Sequence, residues 1–283
     1  MGGRVIAPGL GFPEGPVRLG AEDLAVVEIQ GQRVTRCSPD GISRIATLPG
    51  GPNGLARARD GSLYVANNGG LNLGPHGYWH APEPISGRIQ RVDMDGSVED
   101  LILVPGDHAR PNDLCFGPDG RLYFTDPRNW EDIANLLPGR LWRCERDGSG
   151  LELLDERGMF PNGLAFSPDA SMLYVAYSIT QDVLAFPWSE AGLGEPREHA
   201  KLPTGFPDGM SVAADGTLVV CGSMGHVIHL FAPDGSHREA MDMPDGSEPT
   251  NACLGDGYLY VTQSGTGELV ALETDLEPLP LFD

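Results

Sequence analysis

The sequence predicts an all-β fold, a six-bladed β-propeller with four antiparallel strands in each blade. Three observations carry this prediction: a segment repeated six times, tight turns rich in Asp-Gly, and strand-like stretches that alternate apolar and polar residues. Repeats of roughly 40–50 residues with several short strands each are typical of propeller blades. The 39 Gly and 25 Pro are spread along the whole chain of 283 residues. We therefore expect residues 1–283 to form a single propeller domain.

Each copy of the repeat contains the same elements in the same order. The copies begin at Pro13, Pro52, Pro111, Pro161, Pro207 and Thr250. A short apolar strand leads to a turn such as GPDG, in which Asp-Gly supplies the positive φ of a hairpin. A strand of β-branched and aromatic residues, an alternating strand and a weaker polar strand follow. Either the N-terminal RVIAP or the C-terminal LPLF must supply the outer strand of the last blade.

The charge of the chain disfavours several functions. Forty Asp and Glu against 19 Lys and Arg give a net charge of −21. Such a surface repels phosphate backbones and anionic lipids, so we expect no nucleic-acid partner and no membrane partner. No apolar stretch of about 18 residues is present that could span a bilayer. Lys201 is the only lysine, which makes Schiff-base chemistry a poor candidate.

The cysteines indicate a reducing compartment. They are Cys37, Cys115, Cys144, Cys221 and Cys253, an odd number with no C-x-x-C pair. Most lie in apolar, strand-like stretches, where cysteine behaves as a small buried hydrophobic residue. The N-terminal MGGRVIAPGLGF lacks the apolar centre of a signal peptide. We therefore expect a cytoplasmic protein without disulfides.

The second residue of every copy carries a carboxylate or an amide. These residues are Glu14, Asn53, Asn112, Asn162, Asp208 and Asn251. The innermost strand of a propeller blade lines the central channel, so their side chains should form one ring around the channel mouth. Hard oxygen ligands suit Ca²⁺, Mg²⁺ or Mn²⁺, and the absence of His and Cys from the ring argues against a typical zinc site. Asn-Gly and Asp-Gly also make simple turns, but Glu14 is no turn former, so the pattern favours one bound divalent cation.

Four segments resemble the senescence-marker-protein, gluconolactonase and luciferin-regenerating-enzyme family of propellers over nearly the whole chain: EGPV, PNDLCFGPDG, PNGLAFSPD and PDGMSVAADG. The resemblance implies one divalent ion held by Glu14, Asn162 and Asp208. Calcium is favoured, with zinc, manganese, magnesium and iron as alternatives. The resemblance assigns Asn112 to contact with the metal or the substrate, and it implies hydrolysis of a small-molecule lactone, usually a sugar lactone, as in a gluconolactonase. Asn53 and Asn251 match no ligand of the family.

Two long loops should cover the mouth. If the first strand of each blade starts at the metal face, the loop between the second and third strands lies over the metal. This loop is long in blade two (residues 67–87) and blade three (residues 126–139), and long loops in compact folds are usually functional. The aromatic residues in these loops suggest a substrate less hydrophilic than a plain sugar lactone, although ordinary loop packing is the competing interpretation. The loops carry His76, Tyr78, Trp79, His80, Asp126, Arg128, Asn129 and Trp130.

From these residues we expect substrate contacts by Trp79, His80 and Trp130. The resemblance adds a substrate-binding arginine, which corresponds to Arg110 or Arg128.

The predicted chemistry is acyl transfer to water, with the lactone carbonyl polarised by the bound ion. A carboxylate would deprotonate the attacking water. Asp208 is the first candidate for this catalytic base and Asp126 is the second. No G-x-S-x-G motif supports a serine hydrolase. The alternatives are hydrolysis of another ester or a phosphotriester at the same ion, and a propeller without activity that binds a protein or peptide.

Overall fold

The computed structural model describes residues 3–74, 77–129 and 131–282. Strands make up its regular structure, and the one helix among the described residues is a short 3-10 turn, Ile133–Asn135. The strands form six antiparallel sheets, whose first strands lie side by side around a central channel. The predicted six-bladed propeller with four antiparallel strands per blade is confirmed. No helix in this part of the chain is long and apolar enough to cross a lipid bilayer.

The first three blades follow the chain in order, each from its innermost strand outwards. Blade one consists of Pro13–Gly20, Asp23–Glu28, Arg33–Ser38 and Gly41–Thr47. Blade two consists of Pro52–Arg57, Leu63–Asn67, Arg88–Val92 and Val98–Leu103, and the hairpin Leu71–Gly74 and Gly77–His80 is inserted before its third strand. Blade three consists of Leu114–Phe116, Leu122–Asp126, Arg140–Cys144 and Glu152–Asp155.

The last three blades repeat this order. Blade four consists of Pro161–Phe166, Met172–Tyr177, Asp182–Ser189 and Arg197–Lys201, and Gly192–Leu193 pairs with the end of its third strand. Blade five consists of Phe206–Val212, Leu218–Ser223, Val227–Phe231 and His237–Asp242. Blade six consists of Pro249–Gly255, Tyr258–Gln263, Glu268–Glu273 and, as its outer strand, Arg4–Ala7.

The N-terminal strand closes the ring. Arg4–Ala7 runs antiparallel to Glu268–Glu273, with Val5 opposite Val270. The two ends of the chain are thereby joined by backbone hydrogen bonds, and the third strand of blade six is not left as an open sheet edge. Of the two candidate segments, RVIAP is the one that supplies the outer strand.

The C-terminal LPLF segment instead covers the lower end of the channel. Arg59 Nη2 donates to the Leu281 carbonyl oxygen at 2.6 Å, and the ring of Phe282 packs edge-on against Phe166 with centroids 6.0 Å apart. Above this segment, the six inner strands enclose a cavity of about 580 Å³, and its lining includes Asp113 and Asn251. The candidate site at the mouth is therefore separated from the lower face of the propeller.

The core lies between neighbouring blades. Side chains alternate from one sheet face to the other, so each blade packs against both of its neighbours. Between blades two and three, for example, the ring of Tyr64 meets that of Phe116 edge-on with centroids 5.2 Å apart. These tightly packed interfaces hold the upper ends of the inner strands in fixed positions around the channel.

Candidate functional site

Close contacts between inner strands determine where the ring side chains lie. Glycine follows the ring residue in four copies, and these glycines adjoin the next blade. A Cβ atom at Gly163 would lie 2.5 Å from the Asp208 carbonyl oxygen, and one at Gly15 would lie 2.6 Å from the Leu55 nitrogen. Both distances are shorter than any ordinary contact, so a larger residue would push the strands apart. Glycine here narrows the channel and brings the ring side chains together.

In blade three, the ring residue Asn112 is followed by Asp113 and not by glycine. Asp113 was not predicted to be a site residue. Asp113 is buried, and its Oδ1 accepts a hydrogen bond from the Leu114 N–H at 2.9 Å. Its Oδ2 accepts from Nδ2 of Asn251 at 3.3 Å. The carboxylate fills the space beside Gly54, where a Cβ atom would lie 2.8 Å from Oδ1. Asp113 thus adds a third carboxylate to Glu14 and Asp208.

The pKa values of all three carboxyl groups are raised, by burial in each case and, at Glu14 and Asp208, also by neighbouring negative charge. Burial, and then the charges of Asp208 and Asp113, raise the pKa of Glu14 well above its usual range. Burial is also the main reason that the pKa of Asp208 is raised, and together with the charge of Asp113 it raises this pKa to about 8. Burial raises the pKa of Asp113 to about 6. The ion pairs found among the described residues include no Arg, Lys or His partner for any of the three.

Amide and hydroxyl groups surround these carboxylates. Asn162 Nδ2 donates to Ser178 Oγ at 3.2 Å, and Ser178 Oγ donates to the Pro207 carbonyl oxygen at 2.7 Å. Side-chain hydrogen bonds from Asn162 and Ser223 lower the pKa of Asp208, opposing the effect of burial. Neighbouring inner strands are thus tied together at the mouth, and Asn162 is held beside Asp208.

This donor set fits a hard divalent cation. Carboxylates next to amide oxygens are the environment in which Ca²⁺, Mg²⁺ and Mn²⁺ bind. Within the described ranges, no three His, Cys, Asp or Glu side chains converge as a metal cluster would. A cation at the mouth would therefore need the Asn162 amide oxygen in addition to the carboxylates of Glu14 and Asp208.

Asn112, the ring residue of blade three, contacts its neighbour through the backbone. Its carbonyl oxygen accepts from Asn53 Nδ2 at 3.1 Å, whereas its own amide side chain is half-buried and has no hydrogen-bond partner among the described residues. Asn53 in turn accepts from Asn68 Nδ2 at 3.3 Å. The Asn112 side chain is therefore available to a ligand in the channel.

Asp126 lies deep in blade three. Its side chain is fully buried, Oδ1 accepts from the Arg110 backbone N–H at 2.6 Å, and Oδ2 accepts from Trp142 Nε1 at 3.4 Å. Burial raises the pKa of Asp126. Both carboxylate oxygens are engaged, and the carboxylate anchors the segment that precedes Asn112. This geometry favours a positioning role over direct proton transfer, and the predicted catalytic role stays a prediction.

The predicted arginines are held in ion pairs. Arg110 Nη2 lies 3.2 Å from Glu131 Oε1, and Arg128 pairs with Glu156. Arg110 adjoins the Pro-Asn segment of the ring, whereas Arg128 follows Asp126 by two residues. The choice between them as a substrate-binding group stays open.

The blade-two hairpin lies over the mouth side of the propeller. Trp79 is half-buried and lines a cavity of about 450 Å³, together with Tyr78 of the hairpin and Phe12 of blade one. His80 ends the hairpin and is exposed. Trp130 and His76 lie outside the described residues.

Fold and site together define a class of protein: a six-bladed propeller whose channel mouth gathers carboxylates and amides suited to a divalent cation. The chain belongs to the SMP-30/gluconolactonase/LRE-like family, which matches residues 12–265. This confirms the family resemblance found in the sequence segments.

Two relatives and one solved structure show what this chain is similar to. A gluconolactonase of Zymomonas mobilis is 28% identical over 95% of this chain and 80% of its own. An L-arabinolactonase of Azospirillum brasilense is 31% identical, over 38% of this chain and 36% of its own. The solved structure of a gluconolactonase from Xanthomonas campestris superposes with a TM-score of 0.76 at 26% identity, covering 96% of this chain and 88% of that one.

Proposed function

We propose that this chain is a lactonase, a carboxylic ester hydrolase that opens a small-molecule lactone with the help of one divalent cation. The observation that carries the proposal is the group formed by Glu14, Asp113 and Asp208 at the channel, three carboxylates with no basic partner in the part of the chain that the structure describes. The names of the relatives from Zymomonas mobilis and Azospirillum brasilense support lactone hydrolysis.

Glu14, Asn162 and Asp208 would hold the cation, with Asn112 beside them, and calcium suits this oxygen set best. When bound, the cation would supply Lewis acidity to the lactone carbonyl and stabilise the developing oxyanion. The positive charge would also return Asp208 to its ionised form at neutral pH, since nearby cations lower carboxylate pKa values.

Asp208 is the proposed catalytic base. Its half-buried carboxylate lies at the start of an inner strand, where it can accept a proton from a water molecule in the channel. Asn112 is proposed to orient the substrate through its unengaged amide, and Arg110 is proposed to assist it from the same segment. Asp126 accepts a hydrogen bond from the Arg110 N–H and so supports the segment that contains Arg110 and Asn112.

We also propose a cytoplasmic location and a single-domain chain without nucleic-acid or membrane partners. All five cysteines are free, which suits a reducing compartment.

The test is a panel of lactones, aryl esters and phosphotriesters assayed by acid release, with and without a chelator. We expect hydrolysis of at least one lactone, loss of activity after chelation and recovery with Ca²⁺. Turnover of phosphotriesters or aryl esters alone would replace the proposal with the alternative hydrolase. Activity that survives exhaustive chelation would show that hydrolysis does not need the cation.

A further inference from the structure

A phenylalanine stands two residues before each of the three proposed cation ligands. These residues are Phe12, Phe160 and Phe206, and the other three copies have Gly51, Arg110 and Pro249 at the same position. Phe12 and Phe160 adopt positive φ values of 57° and 62°, a conformation that is unfavourable for bulky side chains. Backbone strain of this kind is retained where the surrounding structure requires it, often at functional sites. Of the three, Phe12 lines a pocket beside the blade-two hairpin and Phe206 is exposed.

Close to the start of the Glu14 strand, three aromatic side chains line a pocket whose other walls include glycine, serine, threonine and glutamine residues. Phe12, Tyr78 and Trp79 line the cavity of about 450 Å³ between the blade-two hairpin and the upper loops of blades one and six. Cavities of this size are common ligand sites.

On the Asp208 side, large apolar side chains are exposed. Phe206 is 38% exposed and Met224 is 63% exposed. Phe206 pairs with Ser223, which directly precedes Met224 and hydrogen-bonds to Asp208. Ile179, 45% exposed, follows Ser178, the hydrogen-bond partner of Asn162. Exposed large apolar side chains that are grouped beside a polar site are candidates for ligand contact.

We infer that this apolar rim binds a hydrocarbon substituent of the substrate, so that the preferred lactones carry an alkyl or aryl group rather than several hydroxyl groups. The rim comprises Phe12, Tyr78, Trp79, Ile179, Phe206 and Met224. A polyhydroxylated lactone would lose water from its hydroxyl groups against these side chains without gaining hydrogen bonds. The guanidinium groups of Arg110 and Arg128 in blade three form ion pairs with Glu131 and Glu156. This inference rests on the proposed lactonase function.

Three lactones with the same six-membered ring test the inference: δ-valerolactone without a substituent, δ-decalactone with a pentyl chain, and D-glucono-δ-lactone with hydroxyl groups. In the presence of Ca²⁺, we expect kcat/KM for δ-decalactone to exceed the other two values by about tenfold or more, the range that pocket contacts with a few methylenes provide. Met224→Ser and Trp79→Ser should each raise KM for δ-decalactone about tenfold while kcat is largely kept. For δ-valerolactone, the same substitutions should change KM much less.

Met94→Ser is the matched control, because Met94 is 44% exposed in a turn between the outer strands of blade two, at the lower face. An equal effect of Met94→Ser and Met224→Ser would overturn the inference. Preference for D-glucono-δ-lactone over δ-decalactone would also overturn it and leave the lactonase proposal intact. Hydrolysis of none of the three lactones would overturn both.

Discussion

Asn251 of blade six donates a hydrogen bond to Asp113 of blade three, with 3.3 Å between Nδ2 and Oδ2. These blades stand opposite one another in a ring of six, so the bond crosses the channel. Both residues also line the lower cavity. The charge of Asp113 acts from this point on Glu14 and Asp208 and helps to raise the pKa values of both carboxyl groups.

The stability of the cation-free protein should fall as the pH rises. Burial raises the pKa of Asp113 to about 6 and, with the charge of Asp113, that of Asp208 to about 8. A carboxyl whose pKa is higher in the folded protein favours folding while it is protonated, and this stability is lost between about pH 4 and pH 8. Asp113 alone contributes about 3 kcal/mol between about pH 4 and pH 6, and about half of this lies above pH 5. Thermal unfolding with a chelator at pH 5 and pH 8 measures the effect.

Asp113→Asn is the control for this pH dependence, because the amide keeps the size of the side chain but cannot ionise. We expect its stability to change less between pH 5 and pH 8. Added Ca²⁺ should restore the wild-type protein at pH 8, since it binds only the folded state. If the wild-type protein in the presence of a chelator is more stable at pH 8 than at pH 5, the proposed effect of the buried carboxyl groups on stability is wrong.

Glu14→Gln should change stability and cation affinity in opposite directions. Burial and the neighbouring aspartates raise the pKa of Glu14, so removing its charge should stabilise the cation-free protein at pH 8. The same change removes a carboxylate ligand and should weaken Ca²⁺ binding by at least about tenfold, with partial recovery of activity in excess metal. Calorimetric titration and thermal unfolding of one preparation measure both effects. A variant with unchanged Ca²⁺ affinity would show that Glu14 is not a ligand.

The cysteines should react slowly in the folded protein. All five are free, and burial raises the pKa of Cys37, Cys144 and Cys253 to about 12. Thiol reagents attack the thiolate, which is scarce at such pKa values. We expect little labelling at pH 8 in the native state and five labels per chain in denaturant without reductant. Fewer than five labels after denaturation would reveal a disulfide and count against the cytoplasmic location.

The repeat predicted the blades well because each blade has the same local pattern of turns and strands. The outer strand of blade six could not be predicted, since RVIAP and LPLF are both short apolar segments. Their difference arises from distant partners: Val5 faces Val270, whereas Phe282 reaches Phe166 below the channel. Such pairings leave no signal in the local sequence.

The site was predicted less completely. The repeat placed Asn112 in the ring, but the buried carboxylate beside it is Asp113. A signal was present, since blade three lacks the glycine that follows the ring residue in four other copies. Asp126 was expected near the mouth because it begins a long loop, and the structure shows its oxygens engaged by the Arg110 N–H and Trp142. Loop position alone does not reveal which way a side chain points.

The assignment of the catalytic base is tested by Asp208→Asn. The substitution keeps the size of the side chain and an oxygen ligand but removes the basicity, so we expect weaker Ca²⁺ binding and a loss of about 10²–10⁴ in kcat at saturating metal. Asn112→Ala removes a neutral substrate contact and should act more on KM than on kcat. Asp126→Asn, in which the hydrogen bond from the Arg110 N–H can still form, should lower kcat by less than Asp208→Asn. Steady-state kinetics of the three variants at saturating Ca²⁺ separate these roles. Near-normal kcat in Asp208→Asn together with a large loss in Asp126→Asn would show that Asp208 is only a ligand and that Asp126 supplies the base.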